Sequence, residues 1–154
     1  MGNNKKYKKK PFESNGSGSD TSANIYESMM LSNAWFELSS NQKVLYGACK
    51  SQYYSEKRHP DSINTQFFMN QFKWMHKYKL YKTGNQGGFY RDIEVLIKKG
   101  FIACAKSGAL SRTKNVYRFS DKWQIYGEEA FSINCNEMTL AMIRKRNKNK
   151  ELNN

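Results

Sequence analysis

Few side chains in this sequence are arranged for catalysis. The two histidines, His59 in a polar loop and His76 in a predicted helix, are far apart and lack companion ligands at metal-site spacing. The adjacent Tyr53 and Tyr54 are candidate nucleophiles for DNA cleavage, but a relaxase would also need a histidine cluster to hold its metal. The sequence therefore predicts a protein that is not an enzyme and that has no metal site and no cofactor.

The cysteines and glycines also exclude several common motifs. Cys49, Cys104 and Cys135 are odd in number and widely spaced, so neither a disulfide framework nor a Cys-x-x-Cys zinc motif can form. We expect reduced thiols, mostly packed, in a cytoplasmic protein. The glycines within residues 84–88 have the wrong spacing for a phosphate-binding loop or a dinucleotide fingerprint.

The basic residues are the group that could bind a ligand, and their distribution is uneven. The 154 residues contain 26 Lys and Arg against 13 Asp and Glu, a net charge of +13. Residues 1–10 contribute +5 and residues 144–154 contribute +4, so the stretch between them is only mildly basic. This pattern favours polyanion binding, in which basic ends add affinity and a site on the body supplies specificity. The alternative is a pair of ends that only aid solubility.

Helical patterns predict where the folded domain begins. Residues 1–23 have too few large apolar side chains to offset chain entropy, which predicts a disordered basic N-terminal tail. Methionine and aromatic side chains predict a first helix over 28–37, and a second over 41–54 follows a serine cap, with its apolar stripe at Val44, Leu45, Ala48, Cys49 and Tyr53.

The next stretch predicts a loop over 55–65, a short strand over 67–69 and a third helix. Asn70 would cap this helix, with Phe72, Met75 and Tyr78 turned toward the core.

The clearest element is a helix that ends before Gly100. Phe89, Ile93, Leu96 and Ile97 fall on one helical face, and Gly100 is placed to end the helix in the left-handed conformation. Two strand-like runs, 101–106 and 115–119, then predict an antiparallel hairpin with a polar tip, after which Trp123 returns to the core. A helix around 136–146, with Met138, Ala141 and Met142 on one side, is the last predicted element.

This order of elements is that of a winged helix-turn-helix, and several segments carry a closer resemblance. The helix from Phe89 to Gly100 with Phe101-Ile102, the run Asn115–Phe119 and the run Ser120–Trp123 resemble small winged-helix DNA-binding proteins of Gram-positive conjugative plasmids and integrative elements. The resemblance spans roughly residues 26–126. It implies double-stranded DNA as partner, the helix from Asn85 to Lys99 as reader and residues 107–114 as wing.

The predicted fold is therefore mainly α with a β-hairpin, a winged helix-turn-helix flanked by disordered basic tails. Its boundaries are an N-terminal tail over 1–23, a DNA-binding domain over 24–126, a segment over 127–143 with a C-terminal helix, and a basic tail over 144–154.

The helical wheel then assigns the candidate DNA contacts. With the apolar stripe buried, the opposite face of the helix shows Gly87, Arg91, Glu94 and Lys98. Arg91 is the best candidate for reading guanine, because its planar fork matches O6 and N7, and a phosphate contact is its alternative role. The remaining candidates lie at the start of the helix and in the wing: Lys82, Thr83, Asn85, Gln86, Tyr90, Arg112 and Lys114.

The leading hypothesis is a sequence-specific duplex DNA-binding protein of a mobile element, acting at a transfer origin, a replication origin or a promoter, together with conjugation or replication proteins. One alternative is an RNA-binding or ribosome-associated protein, since lysine-rich ends and 22 aromatic residues suit backbone attraction and base stacking. The other is a winged-helix adaptor for another protein.

No apolar run approaches the roughly 20 residues of a membrane span, and no apolar segment follows the basic start as in a signal peptide. Both monomer and homodimer fit the sequence.

Overall fold

A computed structural model describes residues 23–52, 66–69 and 72–152 of the chain. Within these ranges the elements are α1 (Glu27–Met30), α2 (Asn33–Phe36), α3 (Ser40–Lys50), β1 (Gln66–Phe67), a π-helical turn (Lys73–Lys77), α4 (Gln86–Lys98), β2 (Ile102–Lys106), β3 (Val116–Phe119), two 3-10 turns (Lys122–Ile125 and Cys135–Glu137) and α5 (Leu140–Leu152). About half of the described residues are helical, which confirms the mainly α class with a β-hairpin.

Some predicted features lie outside the described residues. These are the N-terminal tail up to residue 22, Tyr53 and Tyr54, the loop at 55–65 with His59, and the Asn70 cap.

The first predicted helix is two short helices. Ser32 separates α1 from α2, because its side chain accepts a hydrogen bond from the Trp35 amide and so caps a new helix. The second predicted helix is α3, which ends at Lys50. It begins with a reciprocal capping box, in which Ser39 accepts from the Gln42 amide while the Gln42 side chain accepts from the Ser39 amide. Val44 was expected in the apolar stripe of α3 but is more than half exposed.

α4 begins and ends at the predicted residues. The Asn85 side chain accepts a hydrogen bond from the Gly88 amide at 3.1 Å and caps the helix. Gly100 follows the last turn with a φ of +79°, the left-handed conformation that glycine adopts without strain. A Cβ atom at Gly100 would lie 2.7 Å from the backbone of both Lys122 and Trp123. The chain therefore needs glycine here both for its conformation and for close packing.

The strands form one antiparallel sheet in the order β1-β3-β2. β2 and β3 form the predicted hairpin, with Ile102 opposite Phe119 and Cys104 opposite Tyr117, and a bulge precedes Lys106. The predicted strand at 67–69 is shifted to Gln66–Phe67, where it pairs with the far edge of β3. The hairpin therefore gains a third strand from the segment before α4.

Aromatic side chains join the helices to the sheet. Phe101 contacts Tyr46 of α3 and Trp35 of α2, and the Trp123 ring stacks on it with centroids 6.2 Å apart, as expected for a residue returning to the core. Trp74 stacks on Phe89 at 4.4 Å and fixes α4 against the preceding turn. These contacts hold α4 and the hairpin in one body.

The predicted third helix is a single π-helical turn. Trp74 and Met75 are buried, whereas Phe72, which was expected in the core, is about two-thirds exposed. The wider π-helical turn rotates successive side chains differently from a regular α-helix, so the expected spacing of Phe72, Met75 and Tyr78 does not apply.

The C-terminal residues expected to be a tail are helical. α5 runs from Leu140 to Leu152, so residues 144–152 continue the helix that was predicted to stop at about 146. Met142 is its buried anchor, Met138 is half-buried before it, and Ala141 is exposed. The basic residues of this end therefore lie on an ordered helix.

A buried carboxylate connects the segment before α5 to the sheet. Glu137 accepts hydrogen bonds from the Lys122 side chain at 2.6 Å and the Asn134 amide at 2.9 Å, and it lies 3.5 Å from the guanidinium of Arg118 on β3. Burial raises the pKa of this carboxyl, but the hydrogen bonds and the two cations outweigh burial and lower its pKa overall.

This lowered pKa predicts that the Glu137 contacts weaken in acid. The unfolded chain binds the proton at higher pH than the folded chain, so the stabilisation is complete above the ordinary pKa of a glutamate and is lost as the pH falls through the folded value. We expect Glu137→Gln to lower the urea midpoint at neutral pH and the difference from wild type to shrink in acid. A difference that stays constant across the pH range would contradict this account.

Candidate nucleic-acid interface

The beginning of α4 presents polar groups to solvent. Two glycines occupy its first turn, and at Gly88 a Cβ atom would lie 2.8 Å from the Asn85 side chain, so the missing side chain makes room for the cap. A cap satisfies only one of the first backbone N–H groups, and the others remain directed outward at the positive end of the helix dipole. This end of a 13-residue helix can therefore donate hydrogen bonds to a phosphate oxygen.

Ten of the eleven predicted DNA contacts are exposed. They are Lys82, Thr83, Asn85, Gln86, Gly87, Tyr90, Arg91, Lys98, Arg112 and Lys114. Gly87, Arg91 and Lys98 are defined here as the outward face of α4. All three are exposed, as the helical wheel predicted. Among the residues that the structure describes, no carboxylate forms an ion pair with Arg91. Its guanidinium is thus available for an external acceptor.

Glu94 was predicted to be exposed, and this prediction is wrong. It is only 9% exposed, because α5 packs beside α4 and Lys145 donates to both of its carboxylate oxygens at 2.9 and 3.0 Å. The wheel correctly placed Glu94 away from the apolar core, but it could not show that a second helix covers that flank. We therefore remove Glu94 from the candidate contacts.

A groove beside α4 brings three predicted contacts together. Lys82, Asn85 and Arg91 line it with Asn41 and Gln42 from the start of α3. Asp92 is the carboxylate of this groove, and it accepts hydrogen bonds from Tyr81, Gln42 and Asn41.

Tyr81 stays protonated in this arrangement, since burial and its hydrogen bond to Asp92 both raise its pKa. Among the residues that the structure describes, the groove therefore holds two cations without an ion pair, Lys82 and Arg91, and a carboxylate that already accepts three hydrogen bonds.

Hydrogen bonds shape the predicted wing. The Asn115 side chain accepts from the Gly108 amide at 2.9 Å, and the Thr113 amide donates to the Gly108 carbonyl at 3.0 Å. These bonds leave Arg112 and Lys114 exposed at the tip, where Lys114 also lies over the Phe68 ring, 5.2 Å from its centroid. The wing is thus an ordered turn that presents two cations.

α4 and the wing are the two sides of one cleft. A cavity of about 360 Å³ separates them, with Tyr90 of α4 on one side, Lys114 of the wing on the other and the start of α5 at its end. Tyr90 is half exposed and packs edge-on against Phe89. Of the exposed candidates, the cleft therefore brings Tyr90 of α4 and Lys114 of the wing together.

The remaining side chains with possible chemistry are potential metal ligands and the three cysteines. Among them, no group of three or more His, Cys, Asp or Glu side chains is placed to hold a metal ion. Cys49 and Cys104 are buried as predicted, and burial raises the pKa of each thiol, whereas Cys135 is exposed.

The sequence predicted a polyanion-binding tail for the basic residues at 144–154, but it did not place Lys145, Arg146 and Lys150 on a helix beside α4. A signal was available, since residues 136–154 contain neither glycine nor proline and the spacing of Met138 and Met142 is helical.

No protein-family model, curated protein or solved structure matches this chain. Within the described ranges, none of the helices has both the length and the apolar character needed to cross a membrane.

Proposed function

We propose that this chain is a duplex DNA-binding protein of the winged-helix class that reads the major groove with the first half of α4. The observation that carries the proposal is the exposed Arg91 on the outward face of α4, which forms no ion pair with any described residue and shares a groove with Lys82. In helix-turn-helix proteins the N-terminal residues of the second motif helix contact base edges, and arginine is the commonest reader of guanine.

The arrangement of the neighbouring elements supports this assignment. Helix, short strand, helical turn, helix and hairpin follow one another in the order of a winged helix, and β1 pairs with β3 of the hairpin. The tip of the hairpin presents the exposed Arg112 and Lys114, of which Lys114 lines the cleft beside α4, and both can follow a phosphate backbone or enter a minor groove. The basic N-terminal residues add sequence-independent attraction.

The packing of the aromatic residues of the sheet favours duplex DNA over RNA. Proteins that bind single-stranded RNA stack unpaired bases on exposed rings, commonly on an open sheet face. Here Phe67, Tyr117 and Phe119 of the sheet pack on one another or on the helices. An origin or a promoter of a mobile element as the target remains a proposal from the sequence resemblance.

The proposal is tested by measuring the affinity of the full chain for duplex DNA, single-stranded DNA and RNA of the same sequence at two salt concentrations. We expect the duplex to be preferred and its affinity to fall steeply with salt, as phosphate contacts require. Equal or tighter binding to RNA would contradict the proposal and favour the RNA-binding alternative. Absence of binding to every nucleic acid would favour the adaptor alternative.

A further inference from the structure

A second cleft separates α4 from α5, and four of the eight residues that line it are Lys or Arg, beside the apolar Met138 and Met142. It measures about 380 Å³ and contains Lys98 of α4 with Arg146 and Lys150 of α5. Among the described residues, Glu94 is the one carboxylate that lines it, and Lys145 already pairs with Glu94. In the part of the chain that the structure describes, neither Lys98 nor Lys150 forms an ion pair. Within the described ranges, Lys98, Arg146 and Lys150 therefore line the cleft and none of them is paired with a carboxylate.

The contacts that hold α5 fix the position of these cations. Met142 is 4% exposed, the Thr139 hydroxyl accepts a hydrogen bond from its amide at 3.3 Å, and the Lys145–Glu94 pair ties the next turn to α4. Arg146 follows directly and its guanidinium is 3.6 Å from the Cys135 sulfur, a weak acceptor. Bringing like charges together costs free energy, which a bound anion would recover.

We propose that this cleft binds a backbone phosphate of the duplex that α4 reads. The inference rests on the proposed function and names a further contact surface of the same site. Lys98 is seven residues after Arg91 on the outward face of α4, which separates them by about 10 Å along the helix axis. Because the major groove is about 12 Å wide, a helix whose first half reads bases has its last turn near the phosphates at the groove edge.

α5 supplies charge that α4 lacks at this end. The C-terminal end of a helix carries partial negative charge, which disfavours a phosphate. Arg146 can donate two hydrogen bonds to phosphate oxygens, while Lys98 and Lys150 add positive charge beside it. The cations of the C-terminal helix thereby extend the interface beyond the wing and the first half of α4.

The test compares two pairs of substitutions in the full chain. Arg146→Gln with Lys150→Gln removes two cations of the cleft. Arg144→Gln with Lys148→Gln removes two cations from the opposite side of the same helix, where both are exposed and neither lines the cleft. The two variants have equal net charge, so long-range attraction falls equally in both. Circular dichroism checks that each variant retains its helices.

The readout is the slope of log affinity against log salt on a duplex, measured by fluorescence anisotropy. We expect the cleft pair to flatten the slope by about 0.9 more than the control pair, as for one lost phosphate contact, and to weaken binding to all duplex sequences alike. Lys98→Gln should act in the same direction, and because Lys98 is on α4 this result does not depend on the docking of α5.

Each other outcome has a definite meaning. Equal slopes for the cleft and control pairs, with wild type still binding duplex, would overturn the phosphate site and leave the proposed function standing. Tighter binding by the cleft pair would also overturn it, because α5 would then shield α4 from DNA. If wild type does not prefer duplex, the proposed function fails, and the phosphate site fails with it.

Discussion

Gly100→Val is expected to destabilise the protein more than any other single substitution considered for this chain. A β-branched side chain at a φ of +79° strains the backbone by roughly 1–3 kcal/mol. Its Cβ would also lie 2.7 Å from the backbone of Lys122 and Trp123, which cannot move without disturbing the stack of Trp123 on Phe101. Overpacking of this kind adds about 1–3 kcal/mol, so we expect a total loss of roughly 2–6 kcal/mol.

Chemical denaturation measures this loss, and Gly127 provides a matched control. Gly127 has a φ of +91°, but a Cβ atom there meets nothing within 4 Å. Gly127→Val should therefore cost only the backbone strain, and the difference between the two variants isolates the close approach at Gly100. Equal losses for the two variants would show that the close approach of Gly100 to Lys122 and Trp123 does not add to the loss of stability.

Arg91→Ala should produce the largest loss of DNA binding among single substitutions of the interface. If the guanidinium reads a guanine, the preference at one base pair should relax by about 1–3 kcal/mol. Arg91→Lys distinguishes this role from a phosphate contact, because lysine keeps the charge but loses the bidentate fork. A base reader should lose specificity in both variants, whereas a phosphate contact should keep most of its affinity in the lysine variant.

Arg144→Ala is the control for charge alone, since Arg144 is equally exposed but lies on the side of α5 that faces away from α4. Affinities on a selected duplex and a scrambled duplex complete the comparison. Unchanged binding of Arg91→Ala to both duplexes would remove Arg91 from the interface.

Features that depend on neighbours in sequence were predictable. The period of Phe89, Ile93, Leu96 and Ile97 identified α4, and all four side chains are buried. The end of α4 before Gly100 and the hairpin after it also depend on nearby residues. A glycine that ends the helix, followed by two apolar runs, predicts both.

Features that depend on distant contacts were not predictable in the same way. Glu94 is polar and lies opposite the apolar stripe, yet Lys145, which is 51 positions away in the chain, covers it. Met142 is the one buried side chain of α5 among the described residues. Beyond its first turn the sequence of α5 therefore shows almost no amphipathic pattern. Its basic end therefore resembles a solvated tail until the contacts with α4 are known.

The most direct test of the central claim is an NMR titration of the full chain with a short duplex, following each backbone amide. If the first half of α4 and the wing bind DNA, the largest shift changes should fall at residues 82–91 and 107–114, with small changes in α1 and α2. Changes confined to α1, α2 and α3, with residues 82–91 unaffected, would contradict the proposed interface.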